Sequence, residues 1–224
     1  MTEPLRGEAL VDTVLAKINE EGGGLSGMPQ IAADEPDGLT PEELAGLSLP
    51  GGRPLPPSLA KLLAFDQDFL DVLENGDDGK LALSFCSFKD MMAEQFDDET
   101  ADNADFSDML PGQCLVLPGE GNSRRFMYVG EPDAFGEYPV FVVDIDDIPY
   151  VAIEYPGLDV FLADGVTEDI LDEDTPDCFE HPIYGSMLAD QARRNFGGWK
   201  CYDLGGENSE HIDGPDAVAA HFGS

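Results

Sequence analysis

The stretch from Cys114 to Leu162 constrains this chain more than any other. It holds five short runs rich in β-branched and aromatic residues: Cys114–Leu117, Phe126–Val129, Val140–Val143, Tyr150–Ile153 and Val160–Leu162. Turn residues separate them at the spacing of an antiparallel meander. On either side the apolar period changes to that of helices. Leu5, Leu10, Val14, Leu15 and Ile18 recur at helical spacing until Gly22–Gly24 stop the run. Helices first, then antiparallel strands, then helices again predict an α+β fold built on an antiparallel sheet. Nothing follows the regular alternation of a doubly wound sheet.

Local signals fill in the outline. Residues 21–57 are rich in Gly and Pro and read as a connector, interrupted by Thr40-Pro41-Glu42-Glu43. There Thr40 can cap, Pro41 suits the first helical turn and Glu43 completes a capping box, so a short helix is expected through about Leu47. Leu55-Pro56-Pro57-Ser58 opens the next helix, carried by Leu59, Leu62, Leu63 and Phe65, and a further element ends at Asn75-Gly76. Leu81 to Phe88 is expected as a strand, followed by a short helix across Met91, Met92 and Phe96. A helix is expected from about Ile183 to Phe196, with Arg193-Arg194 in its last turn and Gly197-Gly198 closing it. Residues 215–222 read as a last short helix. The expected division is an N-terminal helix and Gly/Pro-rich extension over 1–54 and one α+β domain over 55–224.

Composition then narrows function. Against 47 Asp and Glu stand only 11 Lys and Arg, a formal charge of -36. Such a field repels nucleic acid and anionic membranes and attracts basic proteins. Arg124-Arg125 and Arg193-Arg194 are isolated pairs within it. No apolar run reaches the ~18 residues of a spanning helix. Residues 1–15 lack the pattern of a signal peptide, so a cytoplasmic location is expected.

Signatures of catalysis are sparse. Ser26 lies in Gly-Leu-Ser-Gly, with the second Gly one residue too early for a nucleophile elbow and no strand before it. The Gly-rich residues 21–27 lack the Lys and Ser/Thr of a phosphate-binding loop. His181, His211 and His221 form no HxH or HxxxH pair. Cys86, Cys114, Cys178 and Cys201 lie far apart, with neither a zinc-ligand spacing nor a disulfide framework, and are expected as buried thiols. Carboxylate clusters are unavoidable in so acidic a chain. The acidic run 97–108 lacks the mid-loop Gly and terminal Glu of an EF-hand. Asp144 and Asp146 alternate to one face of an extended strand end and offer a less favoured divalent-ion site. No cofactor is expected.

Two blocks carry a resemblance. One is Leu55-Pro56-Pro57-Ser58-Leu59 with Leu62, Leu63 and Phe65. The other is Gly136-Glu137-Tyr138-Pro139-Val140-Phe141-Val142-Val143-Asp144, continuing through Pro149-Tyr150-Val151-Ala152-Ile153 to Gly157-Leu158-Asp159-Val160-Phe161-Leu162-Ala163. Together they resemble the SMI1/KNR4 (SUKH) superfamily over roughly residues 55–196. The family's aromatic-Asn-Gly-Gly motif is represented at best by Glu74-Asn75-Gly76-Asp77, and residues before 55 and after 198 have no counterpart.

The resemblance implies an α+β, non-enzymatic protein of the immunity class, which binds and neutralises a cognate toxin, often a nuclease. The charge supports the same expectation independently, because a nuclease presents Lys and Arg to hold phosphates. The expected partner is therefore a basic protein, met by Asp97, Asp98, Asp102, Asp105, Asp108, Asp144, Asp146 and Asp147. Two alternatives are a salt-adapted scaffold or regulatory protein of the same fold and, less favoured, a metal-dependent enzyme using Asp144–Asp147.

Overall fold

The computed structural model describes residues 5–21, 37–76, 80–95, 110–119, 123–144, 150–166, 178, 181, 183–196, 200–203 and 211–213. Helices α1 (Glu8–Glu21), α2 (Pro41–Gly46) and α3 (Pro57–Phe65) come first. Strands β1 (Leu73–Asn75), β2 (Leu81–Leu83) and β3 (Phe85–Ser87) lead into α4 (Phe88–Gln95). Then come β4 (Gln113–Val116), β5 (Ser123–Tyr128), β6 (Val140–Asp144) and β7 (Tyr150–Tyr155). Helices α5 (Leu158–Val166) and α6 (Tyr184–Phe196) precede β8 (Lys200–Asp203) and β9 (His211–Asp213). The fold is α+β.

Strands β3 to β9 form one seven-stranded sheet in sequence order, every neighbour antiparallel, while β1 and β2 pair separately. This is the simplest route for a meander, since each strand turns back beside its predecessor. The central strand β6 is buried at Val140, Phe141, Val142 and Val143. Phe126 and Phe141 face each other in register and stack with centroids 5.5 Å apart. Phe88, the first residue of α4, lies 5.3 Å from Phe126 and Tyr128 meets Phe141 edge-on at 5.6 Å. Burying such rings supplies more apolar area per residue than any other choice, and their packing geometry adds about 0.5–1.5 kcal/mol per pair.

Helix α1 contributes Leu10, Val11, Val14, Leu15 and Ile18 to the same core and packs on α3 and α5. The helix read from sequence as part of the N-terminal extension thus shares the hydrophobic interior of the domain. The capping box at α2 forms as its residues predict: Thr40 Oγ1 accepts from the Glu43 N–H, and Glu43 accepts from the Thr40 N–H.

Three expectations need correction. Val160–Leu162 is not a strand but lies within α5, whose Leu158, Val160, Leu162 and Ala163 are wholly buried. An apolar run buried on all sides reads alike as strand or helix, because neither period shows. The expected strand from Leu81 to Phe88 is two short strands in different sheets. Ser84 separates them, its N–H donating to Val72 O at 2.9 Å, and Phe88 already starts α4. Strands β8 and β9 extend the sheet beyond the expected meander: β8 pairs with β7, Ala152 opposite Cys201. The expected helix at 215–222 and the Gly-rich residues around Ser26 lie outside the described residues.

Candidate functional site

A polar cluster is sealed inside the apolar core, where the N-terminal turn meets four other segments. Gly7 caps α1, its carbonyl accepting from the N–H groups of Leu10 and Val11, with φ of +57° that favours glycine. This turn drives the preceding side chain, Arg6, inward. The Arg6 Nε donates to Asp159 Oδ2 at 2.6 Å and Nη2 to Asp159 Oδ1 at 3.2 Å, a bidentate pair with both side chains 0% exposed. Asp159 also accepts from the Gly7 N–H at 2.7 Å. It stands in the first turn of α5, where the helix dipole favours a carboxylate.

Arg6 has further partners. Nη2 donates to Asp133 Oδ2 at 2.7 Å, Nη1 points at Met187 Sδ on α6, and the guanidinium lies 4.9 Å over the Phe135 ring. Asp133 organises the turn before β6, its Oδ1 accepting from the N–H groups of Phe135 and Glu137. That turn directs Glu137 to the start of α3, where its carboxyl accepts from the Ser58 N–H at 2.9 Å and from Ser58 Oγ at 2.5 Å. From the other side Gln191 of α6 donates to the carbonyls of Glu137 at 3.0 Å and Pro156 at 2.9 Å. Gly157 makes the closure possible. A Cβ there would sit 2.5 Å from Asp159 Oδ1 and 2.7 Å from Glu137 Cβ.

The cluster places Glu137 and Asp159 near a single guanidinium. Burial, then the negative charge of Asp159, push the Glu137 carboxyl up to about 8, against the Ser58 hydrogen bonds and Arg6 that favour its ionised form. The Arg6 guanidinium is held charged by Asp159 and Asp133 more strongly than burial opposes it. Chemically the cluster can take up a proton and can tie five segments together. Arg6, Ser58, Glu137, Asp159 and Gln191 are buried, so no ligand reaches them as they stand.

Of the residues expected to meet a partner, Asp144 alone is among those described. Asp97, Asp98, Asp102, Asp105, Asp108, Asp146 and Asp147 lie outside the described residues. Asp144 ends β6 opposite Ser123 and Tyr150 and accepts from Ser123 Oγ. Among the described residues no group of three His, Cys, Asp or Glu side chains is placed to hold a metal. His181 serves the backbone, its Nδ1 accepting from the Ile183 and Tyr184 N–H groups at the start of α6. A cleft of about 500 Å³ lies between α2 and β2, lined by Thr40, Glu42, Glu43, Gly46, Lys80 and Leu81.

Several basic side chains among the described residues are paired with carboxylates. Arg53, Lys61, Arg125, Arg193 and Arg194 join Arg6 in ion pairs, Arg125 reaching across the sheet to both carboxyl oxygens of Glu154 at 2.6 and 2.8 Å. Among the described residues no helix is long and apolar enough to cross a membrane.

Sequence reasoning overlooked Arg6, Ser58, Asp133, Asp159 and Gln191 as members of one cluster. The available signal was Asp159, a carboxylate set inside the apolar run 158–163, since a charge in such a run is buried with a partner or not at all.

No protein-family model and no curated protein matches the sequence. Among solved structures the chain is similar to an uncharacterized protein from Salmonella enterica subsp. enterica serovar typhimurium str. 14028s, at 14% identity and a TM-score of 0.56 over 99% of both chains. At that identity the likeness concerns the fold.

Proposed function

We propose that this protein is a non-enzymatic binder of the SUKH immunity kind, which neutralises a basic toxin, such as a nuclease, by direct contact in the cytoplasm. One observation carries the reading: a formal charge of -36, with Arg6, Arg53, Lys61, Arg125, Arg193 and Arg194 each paired to a carboxylate among the described residues. A net negative field of that size complements a cleft of Lys and Arg made for phosphates. It would raise encounter rates by about 10- to 1000-fold at low salt. The sealed arrangement of the polar cluster suits a rigid scaffold for such a surface. Asp97, Asp98, Asp102, Asp105, Asp108, Asp144, Asp146 and Asp147 are the proposed contacts.

The deciding experiment is binding to a basic protein encoded beside this one, measured across a salt series. Affinity should fall steeply as salt rises, and reversing charge at Asp97, Asp98 and Asp102 together should slow association. Binding that ignores salt rules out carboxylate-led recognition. A second reading, adaptation to a salty cytoplasm, is favoured by the same abundance of Asp over Lys. It predicts that unrelated proteins of the same cell are equally acidic.

A further inference from the structure

Strand β3 forms one edge of the seven-stranded sheet, and its middle residue faces the strand beside it in an unusual match. Cys86 is the direct register partner of Cys114 on β4. Residues opposed in an antiparallel pair stand on the same face with Cα atoms about 4.5–5.5 Å apart. That separation falls inside the range of about 4.4–6.8 Å that a disulfide spans. The Cys86 Sγ lies 3.9 Å from the Cys114 carbonyl oxygen, so its side chain already leans across the ladder. Both are free thiols, Cys86 half-buried and Cys114 fully buried.

We propose that Cys86 and Cys114 are a cross-strand dithiol that closes to a disulfide when a small-molecule disulfide reaches Cys86. Exposure sets the order of events. The Cys86 thiolate attacks one sulfur of the reagent, forming a mixed disulfide and releasing one thiol. The Cys114 sulfur then attacks the Cys86 sulfur, its proton passing to the second reagent thiolate, which leaves as a thiol. Two protein thiols are oxidised by two electrons and one reagent disulfide is reduced to two thiols. Closure ties β3 to β4 and makes α4 part of a covalent ring.

The surroundings set the rate. Burial, then the charges of Glu94 and Asp90 on α4, raise the Cys86 thiol, and burial raises Cys114 further. Exchange is therefore slow near neutral pH and accelerates as the solution becomes more alkaline. The two carboxylates also discriminate between reagents. A cationic disulfide such as cystamine should react faster with Cys86 than the anionic glutathione disulfide at equal concentration.

The test treats the folded full-length protein with cystamine at mildly alkaline pH and maps peptides without reduction. The expected product links the Cys86 and Cys114 peptides, with a mass lower by two hydrogens than the reduced protein and a Tm higher by about 5 °C. Cys114→Ser should stop at the mixed disulfide on Cys86. A mixed disulfide on Cys86 that persists in the wild-type chain, an unreacted Cys86, or linkage to Cys178 or Cys201 instead would each overturn the proposal. The wild-type measurement stands alone, so it decides the matter even if the variant fails to fold.

Discussion

Arg6 grips Asp159 through Nε at 2.6 Å and Nη2 at 3.2 Å, although 153 residues separate them. The pair ties the first turn of the chain to the start of α5, and neither side chain is exposed. Removing one partner leaves a buried charge uncompensated, which costs about 3–5 kcal/mol. Asp159→Asn is therefore expected to lower stability by about that amount in denaturant titration. Replacing Arg6 and Asp159 together by Met and Leu should cost less than the sum of the single changes.

Gly157 sits against the same cluster. Its missing Cβ leaves room for Asp159 and Glu137, so Gly157→Ala forces apart atoms that would otherwise approach to 2.5 Å. A loss comparable to overpacking, about 1–3 kcal/mol or more, is expected in thermal unfolding. Wild-type stability in this variant would show that the carboxylates can shift freely.

The proton on Glu137 links stability to pH. Its folded carboxyl titrates near 8, above the ordinary value of 4.5. Between those values the folded protein binds more protons than the unfolded chain, so stability falls as pH rises. The contribution is complete below about pH 4.5 and lost through about pH 8. Comparing Tm at pH 5.5 and pH 8.5 should show a drop for the wild type, reduced in Glu137→Gln. Identical slopes for the two proteins would remove Glu137 as the cause.

Gln191 offers a neutral contrast. It is fully buried and donates to two carbonyls, those of Glu137 and Pro156. Gln191→Leu strands both acceptors away from water, at a cost of about 1–3 kcal/mol. This loss should not vary with pH, which separates it from the Glu137 effect.

Crowded carboxylates make one prediction independent of any site. At a charge of -36 the folded chain repels itself, so salt should raise Tm as the screening length falls from roughly 30 Å at 0.01 M to roughly 3 Å at 1 M. A Tm flat across that range would show that the charges are already compensated locally.

Much of the architecture could be read from local pattern. The capping box of Thr40 and Glu43, the start of α3 at Pro57, and the four strands β4 to β7 follow from residue type and spacing. The errors fall where burial erases the period, as in Val160–Leu162, or where one residue changes sheets, as at Ser84. The proposed partner-facing aspartates were legible only as composition, because a charge run carries no information about what it faces. The Arg6 cluster left one trace, Asp159 inside an apolar run, and its other members come from segments with nothing local in common.

Fold class and the succession of helix and strand periods follow from chain neighbours, and the excess of negative charge follows from composition. Which carboxylates are buried with Arg6, and that Cys86 stands opposite Cys114, are set by long-range packing. Those outcomes depend on register and on packing between residues far apart in the chain. Local propensity cannot encode either.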